Sequence, residues 1–342
     1  ADKNYVGTAK LGSVDRVIDM DAGRYKLSVG GWVSRENVRP LEGSASVQNL
    51  VSRVSFEQEN GAEVYHFAGT SQPVAGAYRT GSQLIVELPH TTGISSVPTG
   101  KSSLFSSVSV TEKADSLLLT FELKPSAILW GYVVEYADGV TSLVCKYKPR
   151  LSGSADRPLE GIVVALDSGH GSADPGALGL AQLTGPTEAE INRATALATK
   201  KRLESLGATV YLPEQLDLNS RFNERMQPAI SYRADLFISL HCNSIVDNAN
   251  GLTPNGTEIY YFEAPGKALG DALLPQILSA TGRAGRGVKW NAFRVTLNTL
   301  APSVLIEMGF MTNPIDYDSL CSRQGVYQMA NAVGDGIVAL LS

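Results

Sequence analysis

Cysteine and histidine are scarce in this chain of 342 residues, and its 29 lysines and arginines are outnumbered by 34 aspartates and glutamates. The three cysteines, Cys145, Cys242 and Cys321, are odd in number and far apart, which excludes a disulfide framework and a paired-cysteine zinc knuckle. With a net charge of -5 and no basic block, the chain lacks the electrostatic footprint of a nucleic-acid binder, so no nucleic acid partner is expected. No stretch approaches the roughly 20 apolar residues of a spanning helix, and the first residues carry no basic-then-apolar leader pattern, so no membrane span is expected. At this length two or three folding units are expected.

Up to about residue 150 the sequence is written in short alternating runs of Val, Tyr, Leu and Thr broken by Gly, Ser, Asn and Asp, the pattern of all-β modules. Residues 62–67, 84–88, 117–123 and 132–136 are such runs, and Asp138-Gly139 marks a hairpin turn into Ser142-Leu143-Val144. A polar segment, 149–159, has linker composition. Past it the pattern changes. Ile162-Val163-Val164-Ala165-Leu166 is a continuous apolar run suited to a strand covered on both faces, and a helix is expected over 188–206.

Further strands are expected at 208–212, 236–240, 257–262, 293–297 and 303–307, and helices near 220–232, 267–281 and 326–341. This alternation over 160–342 predicts an α/β domain with an open, largely parallel sheet and helices on both faces, whose functional edge lies at the carboxyl ends of the strands. Of the four histidines, His66 and His90 lie in the β half, where structural roles are expected, while His170 and His241 each sit in a compact motif at that edge. Glu307 falls on the same edge. Thr187-Glu188-Ala189-Glu190 reads as a capping box in which Glu190 is tied to the helix start and Glu188 is left to project. Two imidazoles and one carboxylate with a vacant position are the pattern of a hydrolytic zinc site, and a second carboxylate beside them can move protons. Asp167 is a candidate to orient a ligand from behind, and Asp174-Pro175-Gly176 reads as a turn. Cys242 is expected in the core rather than on the metal, because strand neighbours point to opposite faces.

Four segments, 167–177, 188–192, 239–243 and Glu307-Met308-Gly309-Phe310-Met311-Thr312-Asn313-Pro314, resemble the motifs of zinc-dependent N-acetylmuramoyl-L-alanine amidases in order and spacing across 160–342. Arg221, Gly256-Thr257-Glu258 and Arg286-Gly287-Val288-Lys289 fit the segments between them. The resemblance implies that His170, Glu188 and His241 hold Zn2+ and that Glu307 is the catalytic carboxylate. It implies hydrolysis of the amide between N-acetylmuramic acid and L-alanine in peptidoglycan, with glycan strand and stem peptide as partners. Asn243 and Arg286 become candidates for substrate binding, and the place of work becomes the cell wall, periplasm or extracellular space after export. Ser168, Ser172 and Ala189 depart from the usual motif, and none is a proposed ligand.

Ahead of this domain, residues 25–38 resemble the closing strands of an SH3-like wall module (1–42), and 44–148 is similar to the AMIN type of β-sandwich. Two other functions stay open on the residues alone: a zinc peptidase acting within the stem peptide, and an inactive peptidoglycan-binding protein. The part of an activator protein stays open as well.

Overall fold

A computed structural model describes residues 13–41, 47–59, 61–171, 174–213, 233–245 and 254–342. The chain divides into two units, Ala1–Tyr147 and Lys148–Ser342.

In the first unit, β1 (Val17–Met20), β2 (Arg24–Leu27) and β3 (Trp32–Ser34) form an antiparallel three-stranded sheet. Among the described residues nine more strands follow: β4 (Asn49–Glu59), β5 (Ala62–Gly69), β6 (Gly76–Thr80), β7 (Gln83–Pro89), β8 (Thr91–Thr92), β9 (Phe105–Glu112), β10 (Ser116–Leu123), β11 (Leu129–Ala137) and β12 (Val140–Tyr147). They make two sheets, ordered β6-β7-β10-β9 and β11-β12-β5-β4-β8. The alternation in β7 and β10 turns Leu84, Val86, Leu88, Leu117, Leu119 and Phe121 inward, where they share one core with Tyr65, Phe67, Leu143 and Cys145 of the other sheet. The β11–β12 hairpin turns where Asp138 and Gly139 both take positive φ, the geometry that Asp-Gly supplies at least cost.

The second unit is an α/β domain built on β13 (Val163–Ser168), β14 (Thr209–Tyr211), β15 (Leu236–Asn243), β16 (Thr257–Tyr261), β17 (Gly285–Trp290) and β18 (Ser303–Phe310), in the order β14-β13-β15-β18-β16-β17. The first four in that order are parallel, whereas β16 runs antiparallel to β18 and carries β17 with it. Among the described residues the helices are α1 (Glu188–Ser205), α2 (Ala264–Thr281), α3 (Pro314–Cys321) and α4 (Arg323–Leu341). Among the described residues α1, α4 and α2 pack side by side as one layer against the sheet, while the opposite face is met by the 3-10 turn Arg294–Leu297. The helix expected near 220–232, together with Arg221 and Ser172, lies outside the described residues.

Three local expectations change. Residues 293–297 are not a strand, because Thr296 Oγ1 donates to the carbonyls of Asn291 and Phe293 and winds the segment into a turn. The strand there is instead β17, where Arg286, Gly287 and Lys289 hide the alternation. The polar segment 149–159 ends in the domain itself: Leu159 is fully buried and its amide donates to the Leu206 carbonyl.

Candidate metal centre

The centre is assembled by the sheet register. β13 and β15 pair as far as Ser168 and Leu240, and β15 and β18 place His241 directly opposite Glu307. A register irregularity between His241 and Asn243 then re-aims the strand ends, as bulges beside sites do. Gly169 follows β13, and a Cβ there would strike the His241 ring. His170 comes next at φ 62, a left-handed conformation that costs a non-glycine residue energy and turns its ring back toward the sheet edge.

Glu188 reaches this edge from the first turn of α1. The capping box forms as expected: Thr187 Oγ1 accepts from Glu190 N, and the Glu190 carboxylate accepts from Thr187 N, leaving Glu188 to project. Its carboxylate is buried. Oε2 accepts from Ala177 N (2.9 Å), and Oε1 accepts from Cys242 N (3.1 Å) while facing His170 Nε2 at 3.2 Å and His241 Nδ1 at 3.1 Å. Gly176 makes room for the group: at φ +67, a Cβ there would lie 2.6 Å from Glu188 Oε2 and 2.8 Å from His170 Cδ2.

One donor atom each from His170, Glu188 and His241 lies within 4.8 Å of the others. Ligands about 2 Å from a tetrahedral ion sit about 3.3 Å apart, so the 3.1 and 3.2 Å separations fit a shared divalent cation that accepts nitrogen and oxygen. Burial pushes the Glu188 carboxyl up, but the two imidazoles more than reverse this and hold it well below the usual carboxylate range. The same contact with Glu188, reinforced by Asp174 against the effect of burial, raises His170 to about 9.

The carboxylate behind His170 is that of Asp174, whose Oδ2 lies 2.9 Å from Nδ1 while Oδ1 accepts from Gly176 N. Asp167, expected to orient a ligand from behind, is buried in β13 and accepts from Ser239 Oγ on the neighbouring strand. Asp174 therefore makes the turn and fixes which His170 nitrogen faces inward. Asp174→Asn is expected to weaken metal binding about 10–100-fold, measured by competition with a chromogenic chelator; unchanged affinity would remove Asp174 from the centre.

Glu307 stands one strand from His241. Its Oε2 is shut off from solvent and has no hydrogen-bond partner among the described residues, and burial pushes its carboxyl up to about 7, the nearby His241 opposing and Glu188 and Glu258 adding to the rise. Asn243 lies beyond His241, donating from Nδ2 to Glu258 Oε1 (2.8 Å) and accepting from Ser244 N. Arg286 donates from Nε to Glu258 Oε2 (2.9 Å). Cys242 is buried, with Sγ 3.5 Å from Asn192 Oδ1.

The family model for N-acetylmuramoyl-L-alanine amidase matches residues 164–339, just over half of the chain and the whole sheet but for its first residue. The chain belongs to this family. The amidase-family domain is 34% identical over 196 residues to the N-acetylmuramoyl-L-alanine amidase LytC of Bacillus subtilis (strain 168), a match covering 56% of this chain and 38% of LytC. The chain thus spans well under half the length of that relative. It is 35% identical over 187 residues to the uncharacterized protein YqiI of the same organism, covering 54% of this chain and 86% of YqiI. Among solved structures, the catalytic domain of CwlV, an N-acetylmuramoyl-L-alanine amidase from Bacillus (Paenibacillus) polymyxa var. colistinus, shares 30% identity with a TM-score of 0.48, covering 52% of this chain and 96% of that one.

Proposed function

We propose that this protein is a zinc-dependent N-acetylmuramoyl-L-alanine amidase that hydrolyses the amide between N-acetylmuramic acid and L-alanine in peptidoglycan. The observation that carries this is the meeting of His170, Glu188 and His241 one strand from a buried carboxyl, Glu307, within a domain of the amidase family. His170 Nε2, His241 Nδ1 and Glu188 would hold the ion. Zinc, when bound, supplies a Lewis acid that polarises the carbonyl and makes water acidic.

The remaining steps belong to the chain. Glu307, poised near neutrality, takes a proton from the attacking water as the new C–O bond forms. It returns that proton to the nitrogen as the C–N bond breaks, releasing a free amine on alanine and a carboxylic acid on the sugar, which gives up its own proton to water. Asp174 holds the His170 ring, and the sandwich and the three-stranded sheet are assigned as AMIN-like and SH3-like modules that position the enzyme on the wall. The insoluble substrate puts the site of action outside the cytoplasm.

Incubation with purified peptidoglycan is expected to release peptides with free L-alanine amino termini, and a chelator to stop it. Cleavage within the stem would instead mark a peptidase, and an absence of new termini a binding protein.

Proton linkage gives a second check. The imidazole must be neutral to ligate, and His170 titrates at about 9 without metal. The affinity for zinc is therefore expected to rise about tenfold per pH unit from pH 7 toward 9, with proton release detectable by calorimetry in buffers of different ionisation enthalpy. A flat profile would contradict the assignment of His170.

A further inference from the structure

The antiparallel pairing of β16 with β18 sets Glu258 opposite Glu307, which itself stands opposite His241. Three functional side chains therefore line one level of the sheet, at successive strand spacings of about 4.8 Å. Glu258 is only 3% exposed, and a carboxylate so deeply placed must be paired. It is paired to excess. It accepts from Asn243 Nδ2 and Tyr260 OH, both at 2.8 Å, from Arg286 Nε at 2.9 Å and from Lys289 Nζ at 2.5 Å.

One cation would neutralise Glu258, and two leave a surplus positive charge. Both cations reach outward, with side chains 34% and 39% exposed, although the carboxylate they share is buried. Arg286 spends only Nε on Glu258 and lies over the Phe310 ring, 4.9 Å from its centre, at the end of β18. Its terminal nitrogens, which Glu258 does not use, are the pair that matches a carboxylate in a two-pronged contact. Lys289 lies over the Tyr260 ring at 5.9 Å and keeps two further N–H donors.

The geometry points to a carboxylate-recognising subsite: we propose that Arg286 and Lys289, positioned by Glu258, bind an anionic group of the substrate beside the reacting amide. The inference rests on the amidase reading above. In a muramoyl peptide the acid of the sugar is consumed in the amide that is cut, so the anion must lie on the peptide side. Glu258 stands two strand spacings, about 10 Å, from His241. An extended peptide advances about 3.3–3.6 Å per residue, so the carboxylate belongs to the second or third residue after the cut. The charge count at the subsite favours this role, because Arg286 and Lys289 set against Glu258 leave one positive charge.

The test uses synthetic muramoyl peptides in pairs that differ only by carboxylate against carboxamide at the second or third residue. The full-length zinc-loaded protein is expected to prefer the carboxylate of one pair by about 10–100-fold in kcat/KM, mostly through KM. In Arg286→Gln and Lys289→Gln the ratio is expected to fall toward one. Glu258→Gln, which leaves the cations without their anchor, should lower it as well.

Equal turnover of both members of every pair by the unaltered protein overturns the subsite and leaves the amidase reading standing. Equal losses on both members in Arg286→Gln and Lys289→Gln, with the ratio kept, also overturn it and make these residues structural. If no member of any pair is cleaved, the amidase reading fails and the subsite with it. Lys289→Gln, at the more exposed position, keeps the test decisive should Arg286→Gln fail to fold.

Discussion

Glu307→Gln is expected to bind zinc as the unaltered protein does and to lose about 10²–10⁴-fold in the rate of amide cleavage. The glutamine keeps the size of the side chain but cannot accept and return a proton. Because the side chain is not among the donor atoms that converge from His170, Glu188 and His241, metal content should stay the same. A variant that retained cleavage would remove Glu307 from the chemistry; one that lost zinc would make it a ligand.

The same substitution should show in stability. The Glu307 carboxyl is raised to about 7 from an ordinary 4.5, so the metal-free folded state binds more protons than the unfolded chain between those values. Stability then falls as pH rises from about 4.5 through 7, by roughly 3 kcal/mol at about 1.4 kcal/mol per unit. Glu307→Gln removes this penalty. Metal-free Glu307→Gln should unfold later than its parent in denaturant at pH 8 and similarly at pH 4. A parent equally stable at both pH values relative to the variant would show that the carboxyl is not desolvated.

Gly176→Ala is expected to cost more than 10²-fold in activity although no ligand is changed. The new methyl carbon would lie 2.6 Å from Glu188 Oε2, 2.8 Å from His170 Cδ2 and 2.9 Å from Glu188 Cβ, in a backbone conformation (φ +67) that alanine resists. Strain of this kind costs about 1–3 kcal/mol, and displacement of a reacting group by about 1 Å can cost about 10²-fold. Glu188 cannot retreat easily, since its carboxylate is held by Ala177 N and Cys242 N. Metal content and cleavage should fall together, while circular dichroism stays native. Full zinc occupancy in Gly176→Ala would mean that the turn relaxes without moving the ligands.

The convergence of His170, Glu188 and His241 beside Glu307 was legible because its parts are local signals: a histidine after an apolar run, a capping box that leaves one glutamate over, a glutamate near the end of a strand. Asp174 was read as a turn residue because it is one; nothing in Asp-Pro-Gly announces that its second oxygen serves His170. Direction was illegible as well. Alternation in Thr257–Tyr261 reads the same in either sense, so the inversion of β16 and the burial of Glu258 beside Glu307 were hidden. β17 escaped notice because two of its six residues are cations turned toward that glutamate and two are glycines.

The inversion of β16 also sorts the connections by tolerance. The chain leaves β16 at Phe262 and crosses from Trp290 to Ser303 on the margin remote from His241, whereas Asn243 to Thr257 begins and ends on the reactive margin. Extra residues grafted beside Trp290 or Ser303 would leave from the margin remote from the metal centre, which makes those ends the natural place for a reporter.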